Sequence, residues 1–128
     1  MVLRPRWCDH AGVTRLLIVD DNAGFRGSAR ALLEAGGFTI VGEAATGEEG
    51  IAAVAALRPE AVLLDVQLPD LDGFEVAQRL RAANGGVRIV LTSSRGRDDY
   101  GELVTESPVQ GFIAKDELSP AALRDLLR

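Results

Sequence analysis

The stretch Leu16–Phe25 reads LLIVDDNAGF, four apolar residues running straight into two adjacent aspartates. A short continuous apolar run of this kind predicts a buried strand. Two like charges at the end of a buried element repel each other and are costly to desolvate. The pair Asp20–Asp21 therefore needs a reason, and the rest of the chain supplies it.

Outward from this stretch, strands alternate with helices. Arg15–Val19 is the first strand. From Ala23 to Ala35, the residues Phe25, Ala29, Leu32 and Leu33 fall at helical spacing, and Gly36 and Gly37 stop that helix. Phe38–Ala44 (FTIVGEA) alternates and is β-branched, which predicts a second strand. Thr46 with Glu49 forms a capping box that opens a helix to Leu57. Pro59 ends that region. Ala61–Leu64 (AVLL) is a third strand, and like the first it runs into an aspartate, Asp65. After the loop VQLPDLD, Asp72 and Glu75 repeat the capping pattern for a helix to about Ala83, broken by Asn84-Gly85-Gly86. Arg88–Thr92 (RIVLT) is a fourth strand. Asp98–Glu106 reads as a weak helix with Gly101 inside it. Gly111–Ala114 (GFIA) is a fifth strand ending at Lys115, and Ser119-Pro120 open a last helix with an N-cap followed by proline at the first position. Five strands alternating with five helices predict one doubly wound, mostly parallel α/β sheet.

Composition narrows the function. The 128 residues are 47% hydrophobic and 26% charged, enough for one folded domain. The net charge of −5 argues against nucleic acid as a direct partner, because phosphate contacts need clustered Lys and Arg. No apolar run approaches the roughly 20 residues that span a bilayer, and the first residues lack the apolar core of a signal peptide. A single cysteine, Cys8, forms no internal disulfide and fits a reducing cytoplasm. The folded domain is placed at 14–128, with 1–13 as an N-terminal arm. Trp7, Cys8 and His10 lie in that arm, and one Cys with one His does not make a zinc site.

The polar residues collect at one edge. In a doubly wound sheet, ligands bind outside the carboxyl ends of the strands. Asp20 and Asp21 end strand one, Asp65 ends strand three, Ser93 follows strand four and Lys115 follows strand five. Three carboxylates converging there repel one another unless something positive joins them. A hard divalent cation with oxygen ligands is the natural partner, and magnesium keeps waters beside a few carboxylates. Lys115 stands out independently: it is the one lysine among 14 basic residues. A lysine is a compact point charge on a flexible stem, suited to a single phosphate or carboxylate oxygen.

Asp20-Asp21 after LLIV, Asp65 in LLDVQLPDLDG, Ser93 in IVLTSS and Lys115 in GFIAK together resemble the receiver domain of bacterial two-component response regulators. The resemblance runs from about Arg15 to Leu127, with every element in family order. VGEAATGEEG and the KD after the last strand most resemble receivers fused to helix-turn-helix output domains. It implies a flavodoxin-like five-stranded sheet of order 2-1-3-4-5 with five helices. It implies that Asp65 is the phosphoacceptor, taking a phosphoryl group from a phosphohistidine of a sensor histidine kinase or phosphotransfer protein. Asp20, Asp21, Asp65 and the backbone carbonyl of Gln67 would hold Mg2+. Ser93 would bond a phosphoryl oxygen and Lys115 would bond Asp65 or the phosphate. Phe112, three residues before Lys115, takes the place of the aromatic that changes rotamer on activation. Gln67 and Arg95, two residues beyond Asp65 and Ser93, are the side chains able to obstruct the hydrolytic water and set the lifetime of the acyl phosphate. Such a domain is a phosphoacceptor with self-phosphorylation and self-dephosphorylation, not a turnover enzyme, and it signals by conformational change and contact with a downstream protein. The chain stops soon after the fifth helix. It is therefore expected to be a stand-alone receiver, or else a receiver separated from its output domain.

Other readings compete. Asp20 could serve only as a helix N-cap, and Thr92 or Ser94 could be confused with Ser93. Asp70 and Asp72 are expected to serve the loop and cap. A haloacid-dehalogenase-like phosphatase needs a second aspartate two residues after the nucleophile, where this chain has Gln67. A flavodoxin-like flavin binder needs a phosphate loop after strand one, where the acidic pair would repel phosphate. A degenerate receiver that signals without phosphorylation is disfavoured by the complete acidic, hydroxyl and lysine set. Two departures from the family pattern stand out. Asn22-Ala23 replaces the frequent His-Pro, and RGRDDYGELVTESPVQG lacks an alanine-rich fourth helix.

Overall fold

The computed structural model describes residues 14–83 and 86–128. The expected N-terminal arm, with Trp7, Cys8 and His10, and the expected helix break at Asn84-Gly85 fall outside the described residues. The strands are β1 (Arg15–Val19), β2 (Thr39–Ala44), β3 (Ala61–Asp65), β4 (Arg88–Ser93) and β5 (Gly111–Ala114). They form one sheet of order β2-β1-β3-β4-β5, and every neighbouring pair is parallel. The helices are α1 (Ala23–Ala35), α2 (Gly47–Leu57), α3 (Gly73–Ala83), α4 (Glu102–Glu106) and α5 (Pro120–Leu127).

A parallel sheet covered on both faces needs strands that are apolar throughout. β1 and β3 meet that demand, since Leu16 to Ile18 and Ala61 to Leu64 are fully buried. One face packs Leu17, Val62, Leu64 and Leu91 against Val54 of α2 and Val76 and Leu80 of α3. The other packs Leu16, Ile18, Leu63 and Val90 against Ala29 and Leu33 of α1 and Leu123 and Leu127 of α5.

Three expectations are corrected. Phe38 precedes β2, and its ring is buried in the core instead of extending the strand. Leu32 is 41% exposed, because α1 turns Ala29 and Leu33 inward and the next residue lies about 100° away around the helix. The weak helix at Asp98–Glu106 is two pieces, a 3₁₀ turn at Arg97–Asp99 and the short α4. Gly101 separates them at φ +52, a conformation in which the chain cannot continue a right-handed helix.

The caps that fix the site's edge are mostly those expected. Thr46 Oγ1 accepts from the Glu49 N–H at 3.0 Å, while Glu49 Oε1 reaches back to the N–H of Ala45. Asp72 Oδ1 accepts from the Glu75 N–H at 2.8 Å, and Ser119 Oγ accepts from the Ala122 N–H at 3.1 Å. Gly73 opens α3 directly against β3: a Cβ there would stand 2.5 Å from the Asp65 carbonyl oxygen. Only glycine permits that approach, which seats α3 beside Asp65.

Candidate functional site

Asp20 lies one residue beyond β1, and its N–H still bonds the Ala44 carbonyl at 2.9 Å. Its side chain is fully buried. Oδ1 accepts from the Asn22 N–H at 2.8 Å. Asn22, not Asp20, caps α1, with its Oδ1 accepting from the Phe25 N–H at 2.9 Å. A capping role therefore does not account for the acidic pair. Arg26 clamps this corner, donating from Nη1 to the Asp20 carbonyl at 2.6 Å and from Nε to Glu43 at 3.0 Å.

Asp65 ends β3 and is 5% exposed. Its Oδ1 accepts from the Gln67 N–H at 3.2 Å. Lys115 follows β5 and reaches over the edge, its Nζ 2.7 Å from Asp20 Oδ2 and 3.6 Å from Asp65 Oδ2. The lysine's shorter contact is thus with Asp20. Its ammonium also lies 4.4 Å from the Phe25 ring centroid, over the ring face, a cation–π contact. Burial, and then the charge of Asp20, push the Asp65 carboxyl up to about 6, with Asp21 adding to the rise and Gln67 N–H and Lys115 opposing it. At neutral pH Asp65 is therefore an ionised carboxylate held at an electrostatic cost.

Carboxylate oxygens of Asp20, Asp21 and Asp65 lie within 4.8 Å of one another. Three carboxylates against one ammonium leave an excess of two negative charges, the charge a divalent cation balances. The donors are all hard oxygens. Asp20 Oδ2 is buried, with the Lys115 ammonium 2.7 Å away. Asp21 is exposed, which leaves one side open to the waters that magnesium retains. The residues fit such an ion.

Ser93 ends β4 and is 1% exposed. Its Oγ lies 2.7 Å from the Tyr100 hydroxyl and accepts from the Arg95 N–H at 3.1 Å. Thr92 is fully buried, its hydroxyl without a partner among the described residues, and Ser94 is exposed. Phe112 is half-buried on β5, its ring 5.8 Å from that of Tyr100. Gln67 and Arg95 are both exposed. Asp70 and Asp72 are engaged in capping, as expected, but Asp70 acts far from its own segment. Its carboxylate accepts from the N–H groups of Gly47 (2.7 Å) and Glu48 (2.9 Å) at the start of α2, which lowers its pKa.

Sequence reasoning missed Tyr100. Its one signal was being the single tyrosine, seven residues after Ser93. The 3₁₀ turn at Arg97–Asp99, capped by Tyr100, brings it back to Ser93, and a turn there has no signal in the sequence.

The chain matches the response regulator receiver domain family over residues 16–128. It is 31% identical over 102 residues to the nitrate/nitrite response regulator protein NarL of Escherichia coli K12, covering 79% of this chain and 47% of that protein. It is 38% identical over 104 residues to a protein-glutamate methylesterase/protein-glutamine glutaminase of Anaeromyxobacter dehalogenans, covering 80% of this chain and 29% of that protein. The chain thus spans half or less of these curated relatives. Among solved structures, a two-component response regulator of the LuxR family from Aurantimonas sp. SI85-9A1 superposes with a TM-score of 0.79 at 27% identity, covering 88% of this chain and 81% of that one. Receiver domains of response regulators interact with histidine kinases or phosphotransfer proteins and bind Mg2+ at an acidic pocket, and the aspartate cluster here could bind a metal. This chain belongs to the response regulator receiver domain family, and its relatives include LuxR/NarL-family response regulators of two-component systems.

Proposed function

We propose that the chain is a phosphorylation switch in which Asp65 accepts a phosphoryl group from the phosphohistidine of a sensor kinase or phosphotransfer protein. The observation that carries this reading is the placement of Asp65: an almost buried carboxylate at a strand end, with two further carboxylates and Lys115 around it. An Asp65 oxygen attacks phosphorus in line with the departing imidazole nitrogen. The P–N bond breaks, an acyl phosphate forms, and the electron pair leaves with the histidine. Even without metal the Asp65 carboxyl, at about 6, is ionised and able to attack at neutral pH.

Asp20, Asp21, Asp65 and the Gln67 carbonyl would hold Mg2+, which supplies neutralisation of the charge spread over the phosphoryl oxygens. Lys115 then moves its interaction from Asp20 toward the new phosphoryl oxygens, a charge-assisted contact. Ser93 donates its hydroxyl to another of those oxygens, and Phe112 changes rotamer with it. Gln67 and Arg95 shield the phosphorus from water and lengthen the phosphorylated state. Asp65 is consumed in each cycle until hydrolysis restores it, so the chain is a phosphoacceptor, not a turnover enzyme. Its receiver unit is 14–128, and it acts in the cytoplasm through a downstream protein.

The test is phosphotransfer from a histidine-phosphorylated donor in the presence of Mg2+. The label should reach this chain, be released by hydroxylamine as an acyl phosphate, and fail to reach Asp65→Asn. Label resistant to hydroxylamine, or transfer to Asp65→Asn, would refute the reading.

A further inference from the structure

We propose that Tyr100 is a positioning residue for Ser93. In the unphosphorylated protein its hydroxyl holds the Ser93 hydroxyl, and phosphorylation has to take that hydroxyl away from it. The inference rests on the phosphoacceptor reading above and adds to it a residue outside the acidic and lysine set.

The Ser93 hydroxyl has one proton and two lone pairs. The Arg95 N–H occupies one lone pair at 3.1 Å, and the Tyr100 oxygen stands 2.7 Å away on another side. With Ser93 as the donor, its one proton is held on the Tyr100 oxygen and is withheld from any other acceptor, at an oxygen buried from water. A phosphoryl oxygen is an acceptor only, so it needs the Ser93 proton turned toward Asp65.

Tyr100 is well held in this position. Its ring sits between Phe74 of α3 and Phe112 of β5, both centroids 5.8 Å away and tilted by 59° and 50°. Tilted pairs at this spacing are favourable aromatic geometries. Its N–H closes the 3₁₀ turn onto the Arg97 carbonyl at 3.0 Å, and Gly101 at φ +52 opens the next helix immediately afterwards. The backbone thus delivers the phenol to Ser93, and the two phenylalanines keep it there. Phe112 cannot change rotamer without disturbing the ring that holds Ser93, which couples the two events. The contact with Phe74 extends the same coupling to the start of α3.

The expected direction follows from the free state. Replacing Tyr100 by phenylalanine keeps the ring stack but leaves the buried Ser93 hydroxyl with one partner fewer. The free state loses a hydrogen bond, whereas the phosphorylated state, in which Ser93 faces the phosphoryl group, loses none. The phosphorylated form is therefore favoured.

The experiment uses beryllofluoride with Mg2+ as the phosphoryl mimic and 3-fluorotyrosine as the reporter, which enters at Tyr100 alone because the chain has one tyrosine. In the free protein, Ser93→Ala should shift the fluorine resonance. Saturating wild type with beryllofluoride should shift it in the same sense. Tyr100→Phe should bind beryllofluoride about fivefold more tightly than wild type. In a Ser93→Ala background the same change should have no effect, which separates a role through Ser93 from simple packing. If wild type binds beryllofluoride and Tyr100→Phe binds no more tightly, or acts equally in both backgrounds, the role of Tyr100 is refuted and the phosphoacceptor reading stands. If wild type takes no beryllofluoride, the phosphoacceptor reading falls and this inference with it.

Discussion

Asp65→Asn is expected to make the metal-free protein more stable at about pH 7.5 and to lose most of that advantage at about pH 4.5. In the fold the Asp65 carboxyl titrates at about 6 instead of 3.8, because of burial first and the Asp20 charge second. The sign follows directly. Between those two values the folded protein holds a proton that the unfolded chain has released, so wild-type stability falls as pH rises through the window. The shift of about two pH units corresponds to an upper bound of about 3 kcal/mol. Water reaching the site beside exposed Asp21 screens part of this, so a gain of about 1–2 kcal/mol is expected, a rise in Tm of roughly 3–8 °C. The asparagine oxygen can still accept from the Gln67 N–H, so no buried donor is orphaned. The assay is urea unfolding in chelator at both pH values, repeated with Mg2+. At about a hundredfold excess over its Kd, Mg2+ adds about 2.7 kcal/mol to wild type, which reverses the order of the two proteins. A variant no more stable than wild type at pH 7.5, or an advantage unchanged at pH 4.5, would refute the account of the acidic cluster as a repulsive site awaiting a cation.

Asp20→Ala and Asp21→Ala should each weaken Mg2+ binding by about tenfold, roughly 1.4 kcal/mol, with an unchanged circular dichroism spectrum. Unaltered affinity in both would sink the ligand assignment. Lys115→Arg keeps the charge but replaces a point donor by a planar fork, so it should fail to reach the beryllofluoride-bound state of wild type. An identical spectral change on activation would count against the lysine's role. After removal of the phosphodonor, Arg95→Ala and Gln67→Ala should both lose phosphate faster than wild type. Decay as slow as wild type in both places the control of lifetime elsewhere.

The alternating elements were legible because a parallel sheet covered on both faces leaves a strong trace. LLIV, AVLL and IVL are apolar on both faces, and the first two run straight into Asp20 and Asp65. The site's members could be placed at one edge for the same reason: each follows a strand's last apolar residue. What could not be read were contacts whose partners lie far apart in the chain. Asp70 caps a helix that begins 23 residues earlier, and Lys115 pairs more closely with Asp20 than with Asp65. Neither distance has a periodicity to betray it. The segment after Ser93 was misread for a local reason. The sequence shows Gly101 as a defect inside one helix, whereas its positive φ separates a 3₁₀ turn from a short helix, and Tyr100 at the end of that turn meets Ser93. Leu32 illustrates the converse, an apolar residue at a plausible helical position that stays 41% exposed.

The most direct test is the intact mass of the protein after incubation with acetyl phosphate and Mg2+, wild type beside Asp65→Asn. The account predicts one added phosphoryl group on wild type, none in chelator and none on the variant. Phosphorylation of Asp65→Asn to the same extent, or none on wild type with Mg2+ bound, would contradict it.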